Sequence, residues 1–150
     1  MILHFTCLPF EQLTALELYQ VMVLRQEVFV VEQNCAYLDA DDKDQESWHL
    51  LGRDETGRLL SYTRLLPKGV AYPDYMSIGR VVNSPSVRGK GVGRAHFDKS
   101  IALCRHLFGE GPIKIGAQRY LLQFYESFGF RSTGEEYLED GIPHVKMILP

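Results

Sequence analysis

At 150 residues the chain is sized for a single domain spanning 1–150, and 45% hydrophobic with 23% charged residues excludes disorder, coiled coil and collagen-like repeats. A formal charge of −3 with no run of Lys or Arg argues against nucleic acid as a partner. Cys7, Cys35 and Cys104 are odd in number and lack Cys-x-x-Cys spacing, so neither a metal site nor a disulfide framework is expected, and a reducing, cytoplasmic setting fits best.

The N-terminus, Met1-Ile2-Leu3-His4-Phe5, carries no basic region, and no stretch approaches the roughly 20 apolar residues of a membrane helix, so no membrane association is expected. Residues 2–8 read as a first strand. Leu18, Val21, Met22, Val28 and Phe29 recur at helical spacing, which predicts a long amphipathic helix within 10–32. The acidic stretch 39–46 reads as a solvated loop, with attraction of a cationic amine as the sharper alternative. It is no calcium loop, because Asp44 stands where an EF-hand needs glycine. Trp48–Leu51 and Leu59–Thr63 flank the turn signal Asp54-Glu55-Thr56-Gly57 and predict a hairpin. After a Gly/Pro-rich connection at 67–74, the β-branched run 76–82 predicts a central strand.

The segment Ser84–Gly93 then opens a helix carrying Phe97, Ile101, Cys104 and Phe108 on one face. Ile113–Ala117 reads as the returning strand of a β-α-β unit, Tyr120–Ser127 as a short helix ended by Gly129, and 130–138 with 143–149 as two paired strands. The resulting fold class is mixed α/β.

Strand, glycine loop, helix is the arrangement that can hold phosphate. In Arg88-Gly89-Lys90-Gly91-Val92-Gly93 the glycines allow close approach and positive φ, while the first N–H groups of the helix are unpaired. The helix dipole and Arg88, Lys90 and Arg94 add positive potential. A dinucleotide fingerprint fails because Arg94 stands where its third glycine belongs, and a Walker loop fails at Ser84 and Gly91.

The loop does match Arg/Gln-x-x-Gly-x-Gly/Ala through Arg88, Gly91 and Gly93. It resembles the pyrophosphate loop of the GCN5-related N-acetyltransferase (GNAT) superfamily. Further on, Gln123-Phe124-Tyr125-Glu126-Ser127-Phe128-Gly129-Phe130 resembles that family's Phe-Tyr-x-x-x-Gly-Phe segment. Leu24–Gln33, Ala117-Gln118 and Glu139–His144 are similar to the ElaA-type branch, so the resemblance spans nearly the whole chain.

The resemblance implies an acyl-CoA N-acyltransferase fold, a mostly antiparallel central sheet flanked by helices, with acetyl-CoA as co-substrate and an amine of a small molecule or peptide as acceptor. It places the pyrophosphate on Arg88, Gly89, Lys90, Gly91, Val92, Gly93 and Arg94, and the pantetheine arm beside Arg80, Val81 and Val82. Where many members carry a cofactor-contacting Asn, this chain has Gln118.

Tyr125 is implied as the acid that meets the departing thiolate, whereas periodicity alone makes it part of an apolar helix face with Phe124 and Phe128. Glu32, His49, Asp140 and His144 are candidates on the acceptor side, each with a structural alternative. A non-catalytic acyl-CoA-binding module and a donor with a longer acyl chain stay open, as does a homodimer that buries a strand edge.

Overall fold

A computed structural model describes residues 2–150. Strand β1 (His4–Pro9) leads through a 3-10 turn into helix α1 (Ala15–Arg25). The helix starts where Thr14 and Glu17 form a reciprocal capping box: the Thr14 hydroxyl accepts from the Glu17 amide at 3.0 Å, and the Glu17 carboxylate accepts from the Thr14 amide at 2.9 Å.

The single helix predicted over 10–32 is divided. From Gln26 to Glu32 it widens into a π-helical turn, closed by Gln33 N–H donating to Val28 at 3.0 Å and Cys35 N–H to Val30 at 3.0 Å. The wider turn still buries Val28 and Phe29 and brings Glu32, Gln33 and Cys35 to the wall of a cavity.

Strands β2 (Trp48–Arg53), β3 (Leu59–Leu66) and β4 (Ser77–Asn83) join β1 in an antiparallel sheet of order β1-β2-β3-β4. Helix α2 (Val92–Phe108) follows the glycine loop, then β5 (Ile113–Gln118), the short α3 (Leu122–Glu126), β6 (Arg131–Glu139) and β7 (Ile142–Leu149), which form a second antiparallel sheet of order β5-β7-β6. The predicted central strand is thus an edge of its own sheet, although it lies in the middle of the molecule. One parallel bridge, Met76 to Ile113, joins the sheets, with Lys114 N–H donating to the Met76 carbonyl at 3.0 Å. Beyond it the two strands part.

β3 is buried along nearly its whole length because helices cover both faces of its sheet. Leu51, Tyr62 and Val82 pack with Val21, Leu24, Val28 and Phe29 of α1 and the π turn, while Leu65 and Ile78 join Phe97 and Cys104 of α2. Phe97 is the hub of the larger cluster, edge-on to Tyr125 at 5.1 Å and to Phe128 at 5.0 Å. His96, on the same helix, is enclosed by Ser61 and Thr63, and burial pushes its imidazole down to about 3.

The loop at 39–46 is not the solvated acidic stretch expected. Asp39 and Asp44 are each only 5% exposed. Arg25, itself fully buried, donates from Nε to Asp39 and from Nη1 to Asp44, both at 2.7 Å. Arg64 donates to Asp44 at 2.9 Å and holds Asp41 with two bonds at 2.8 and 2.9 Å. Arg80 reaches Asp39 from β4 at 2.9 Å. Three arginines from α1, β3 and β4 therefore anchor the loop over the end of the first sheet.

Candidate functional site

Where β4 and β5 part, a cavity of about 660 Å³ opens between the sheets. Residues 78–83 of β4 form one wall, Ile115, Gly116 and Gln118 of β5 the other, and Tyr125 of α3 closes part of the interior. β4 carries a bulge here: Tyr62 pairs with Val82 and Arg64 with Gly79, so Arg80 and Val81 together oppose Thr63. Arg80 has φ +49°, unusual for a side-chain-bearing residue, and the extra residue takes a peptide unit out of the ladder where Arg80 and Val81 line the cavity. The Arg80 guanidinium points to Asp39 and Asp41, so its charge is used within the acidic loop.

The glycine loop lies at one mouth of the cavity, where Gly93 and Arg88 line it together with Asn83. Gly91 caps α2 with φ +76°, and no atom lies within 4 Å of where a side chain would begin at Gly89 or Gly91. Backbone N–H groups at the start of a helix of 17 residues therefore face open space suited to an anion. Gly91→Ala is expected to cost about 1 kcal/mol through its left-handed backbone, read as a lower urea midpoint; an unchanged midpoint would show that the turn relaxes.

The charged residues of the loop have diverged. Arg88 clasps Glu32 bidentately at 2.6 and 2.5 Å across the cavity mouth, and that hydrogen bond holds the Glu32 carboxyl below the usual carboxylate range. Arg94 turns toward α3, bonding Ser127 and lying 4.6 Å over the Phe128 ring. Lys90 is exposed, whereas Val92 is buried and packs with Leu60 and Val87.

Tyr125 is 5% exposed, and no side-chain hydrogen bond among the described residues engages its hydroxyl. Burial pushes that hydroxyl above the ordinary phenol range, so it stays protonated across neutral pH. An unpartnered hydroxyl in such a place is a donor held ready for something in the cavity.

The four acceptor-side candidates do not share one place. Glu32, Asp140 and His144 line the cavity, but His49 is absent from its wall. His49 is fully buried, its Nε2–H donating to the Asp44 carbonyl at 2.9 Å and its Nδ1 accepting from Tyr62 at 2.6 Å. Burial lowers its pKa, and the ring holds up the acidic loop. Asp140 is exposed in the β6–β7 turn at φ +51°, and its carbonyl accepts from Cys35 Sγ at 3.4 Å.

Gln118 does not point freely into the cavity. Its amide exchanges two hydrogen bonds with that of Gln33, at 3.2 and 3.4 Å, bridging the two walls. Gln33, Tyr37 and Asn83 also line the cavity and were not among the residues singled out by sequence, and Asp41 reaches it from the acidic stretch 39–46. Of the first three, only Gln33 had a signal, its place in the segment Leu24–Gln33. Among the described residues no group of three His, Cys, Asp or Glu side chains is suited to a metal, and no helix is long and apolar enough to cross a membrane.

Residues 15–150 match the sequence profile described as an acetyltransferase (GNAT) domain. Protein ElaA of Escherichia coli K12 is 41% identical over 138 residues, covering 91% of this chain and 89% of that protein. A UPF0039 protein of Synechocystis is 42% identical over 144 residues, covering 93% and 90%. The crystal structure of Escherichia coli ElaA superposes with a TM-score of 0.91 at 38% identity, covering 99% of this chain and 100% of that one. An acyl-CoA N-acyltransferase of Pseudomonas aeruginosa gives 0.92 at 38% identity with the same coverage.

Proposed function

Because the chain belongs to the GNAT acetyltransferase family, we propose that it moves the acetyl group of acetyl-CoA directly to a primary amine of a small molecule or peptide. The observation that carries this reading is the cavity between β4 and β5, with an open helix N-terminus at one mouth and the unpartnered Tyr125 hydroxyl inside. The relation to an acyl-CoA N-acyltransferase at 38% identity supports the donor class.

The residues fit such a donor. Main-chain N–H groups of Gly89, Gly91, Val92 and Gly93 would receive the pyrophosphate, the Lys90 N–H being bonded to the Val87 carbonyl at 3.3 Å, with the Lys90 and Arg88 side chains supplying charge once Arg88 leaves Glu32. The β4 bulge at Arg80 and Val81 offers main-chain hydrogen bonding beside an extended arm, as a neighbouring strand would, and a donor for the oxyanion. Acetyl-CoA supplies the thioester, whose carbonyl carbon accepts the amine and whose sulfur leaves as a thiolate.

Tyr125 acts at that sulfur. Its raised pKa makes complete ionisation toward a thiolate uphill, so its contribution is a hydrogen bond that strengthens as charge develops. A donor that opens to the cavity without a protein partner needs no rearrangement to do this.

The reading is tested with the full chain and two measurements. Coenzyme A at about 100 times its Kd should raise the unfolding free energy by about 2.7 kcal/mol, seen as a higher Tm. Acetyl-CoA with propylamine, spermidine and a lysine-containing tripeptide should release free thiol. No thermal shift at saturating coenzyme A rejects the donor assignment, and a shift without thiol release on any of the three favours a binding module instead.

A further inference from the structure

An amine that attacks a thioester must lose a proton, and the fold separates the candidates to accept it. Glu32 is exposed at the cavity mouth beside the glycine loop, His49 is walled off from the cavity, and Asp140 is exposed in a turn. His144 differs from all three: it is 6% exposed, lies on the cavity wall and has its ring fixed on several sides.

We propose that His144 is the general base of the acyl transfer, with Glu139 and Tyr137 as its positioning residues; the proposal rests on the acetyl-transfer reading above. His144 Nδ1 lies 2.7 Å from the carbonyl oxygen of Ile142, and a carbonyl only accepts, so Nδ1 carries the hydrogen. The neutral ring therefore keeps its lone pair on Nε2. The Glu139 carboxylate stands 3.4 Å from Nε2, placed to stabilise the imidazolium as it forms.

Tyr137 of β6 lies against the ring, with centroids 5.4 Å apart and planes inclined by 31°. It can do so because residue 116 on β5 is glycine: a Cβ there would collide with the Tyr137 hydroxyl. The other groups around the ring are Gln118, opposite it on β5, Asp140 in the turn before β7, Lys146 two residues on along the same face of β7 with its Nζ 5.2 Å from the Tyr137 ring centroid, and Arg119 and Glu136, which pair with each other at 3.0 Å. Burial raises the Tyr137 phenol, so the ring next to His144 remains uncharged.

The placement also suits the direction of the reaction. On β7, Val145 joins Tyr125 and Phe97 in the core, and its neighbour His144 projects from the opposite face of the sheet. Tyr125 and His144 thus reach one cavity from opposite faces. The amine nitrogen bonds to the carbonyl carbon and gives its proton to His144 Nε2. The carbon–sulfur bond breaks, and its electron pair leaves on sulfur at the Tyr125 side. The step yields an amide, a thiolate and an imidazolium, so atoms and charge balance. Separate acid and base positions prevent Tyr125 from being deprotonated by the group that must accept the amine's proton.

The test compares His144→Gln and Glu139→Gln with the unaltered protein in thiol release from acetyl-CoA, using the three amines above, together with the coenzyme A thermal shift. His144→Gln should lower kcat/KM near neutral pH by about 100-fold and move the ascending limb of the pH profile toward about 10, where an alkylammonium loses its own proton, with the thermal shift retained. Glu139→Gln should lower kcat less than His144→Gln does, with KM unchanged, because only the imidazolium formed during the step loses its partner. His144→Gln that keeps the parental rate and limb overturns the assignment while leaving acetyl transfer standing. Loss of the coenzyme A shift in His144→Gln makes the ring structural and also overturns it. Absence of thiol release by the unaltered protein with all three amines rejects acetyl transfer itself, and the base assignment with it.

Discussion

Tyr125→Phe should reduce kcat by about 100-fold or more while leaving coenzyme A affinity unchanged and the fold no less stable. The change removes one oxygen from a side chain that is otherwise packed edge-on against Phe97 and next to Phe130, so the aromatic cluster is preserved. Because the hydroxyl has no protein partner and opens to the cavity, its loss leaves nothing unsatisfied behind and should cost little or no stability. Activity falling while Tm holds or rises is the pattern of a group kept for chemistry at some cost in stability. Steady-state kinetics and a melting curve on the same preparation read both quantities, and a kcat within twofold of the parent would take Tyr125 out of the mechanism.

The second large effect is on stability. Asp44→Ala should lower the unfolding free energy by about 3–5 kcal/mol, because Arg25 is fully buried and Arg64 only 3% exposed, and both donate to the same Asp44 oxygen. Against a total of about 5–15 kcal/mol for a domain, such a loss brings the protein near its unfolding threshold at 37 °C. Asp44 also supplies the carbonyl that holds His49, so loosening here would spread into the loop that carries Asp41 to the cavity. A parental urea midpoint for Asp44→Ala would show that water enters and replaces the carboxylate.

The same network sets the response to acid. Burial alone would raise the carboxyls of Asp41 and Asp44, but hydrogen bonds and charge from Arg64, and for Asp44 from Arg25 as well, outweigh it and hold both below the ordinary carboxylate range. Folded-state values below the unfolded ones mean that the stabilisation is complete above the unfolded carboxylate value, about 4, and is lost as pH falls toward the folded values. Urea midpoints should therefore be flat above about pH 5 and decline below about pH 4, with a shallower decline in Asp44→Ala.

Much of the architecture was readable because its causes are local. The helical period through Phe97 and Cys104 and the turn at Asp54–Gly57 each involve residues a few positions apart. The glycine turn at 88–93 was legible for the same reason: it is set by residues adjacent to the start of α2, where Gly91 takes a left-handed conformation. The π turn was not, since a shift from four-residue to five-residue hydrogen bonding leaves the apolar spacing of Val28 and Phe29 nearly as a helix would have it.

The acidic loop shows where sequence ends. Asp39, Asp41 and Asp44 read as solvated, and nothing near them in the chain says otherwise, because their partners Arg25, Arg64 and Arg80 lie 14 to 41 residues away on three different elements. The same applies to the candidates for the base. As residue types, His49 and His144 were equivalent; one lies beneath a buried loop and the other beside a cavity only because of which strands pair and which face each residue takes.

By itself, then, the sequence determined the order of elements, the glycine loop before α2 and the aromatic segment around Tyr125, features set by neighbours in the chain. Which charges are neutralised, which strand bulges, and which histidine faces the cavity were decided only by tertiary structure, because they depend on pairings between residues far apart in sequence.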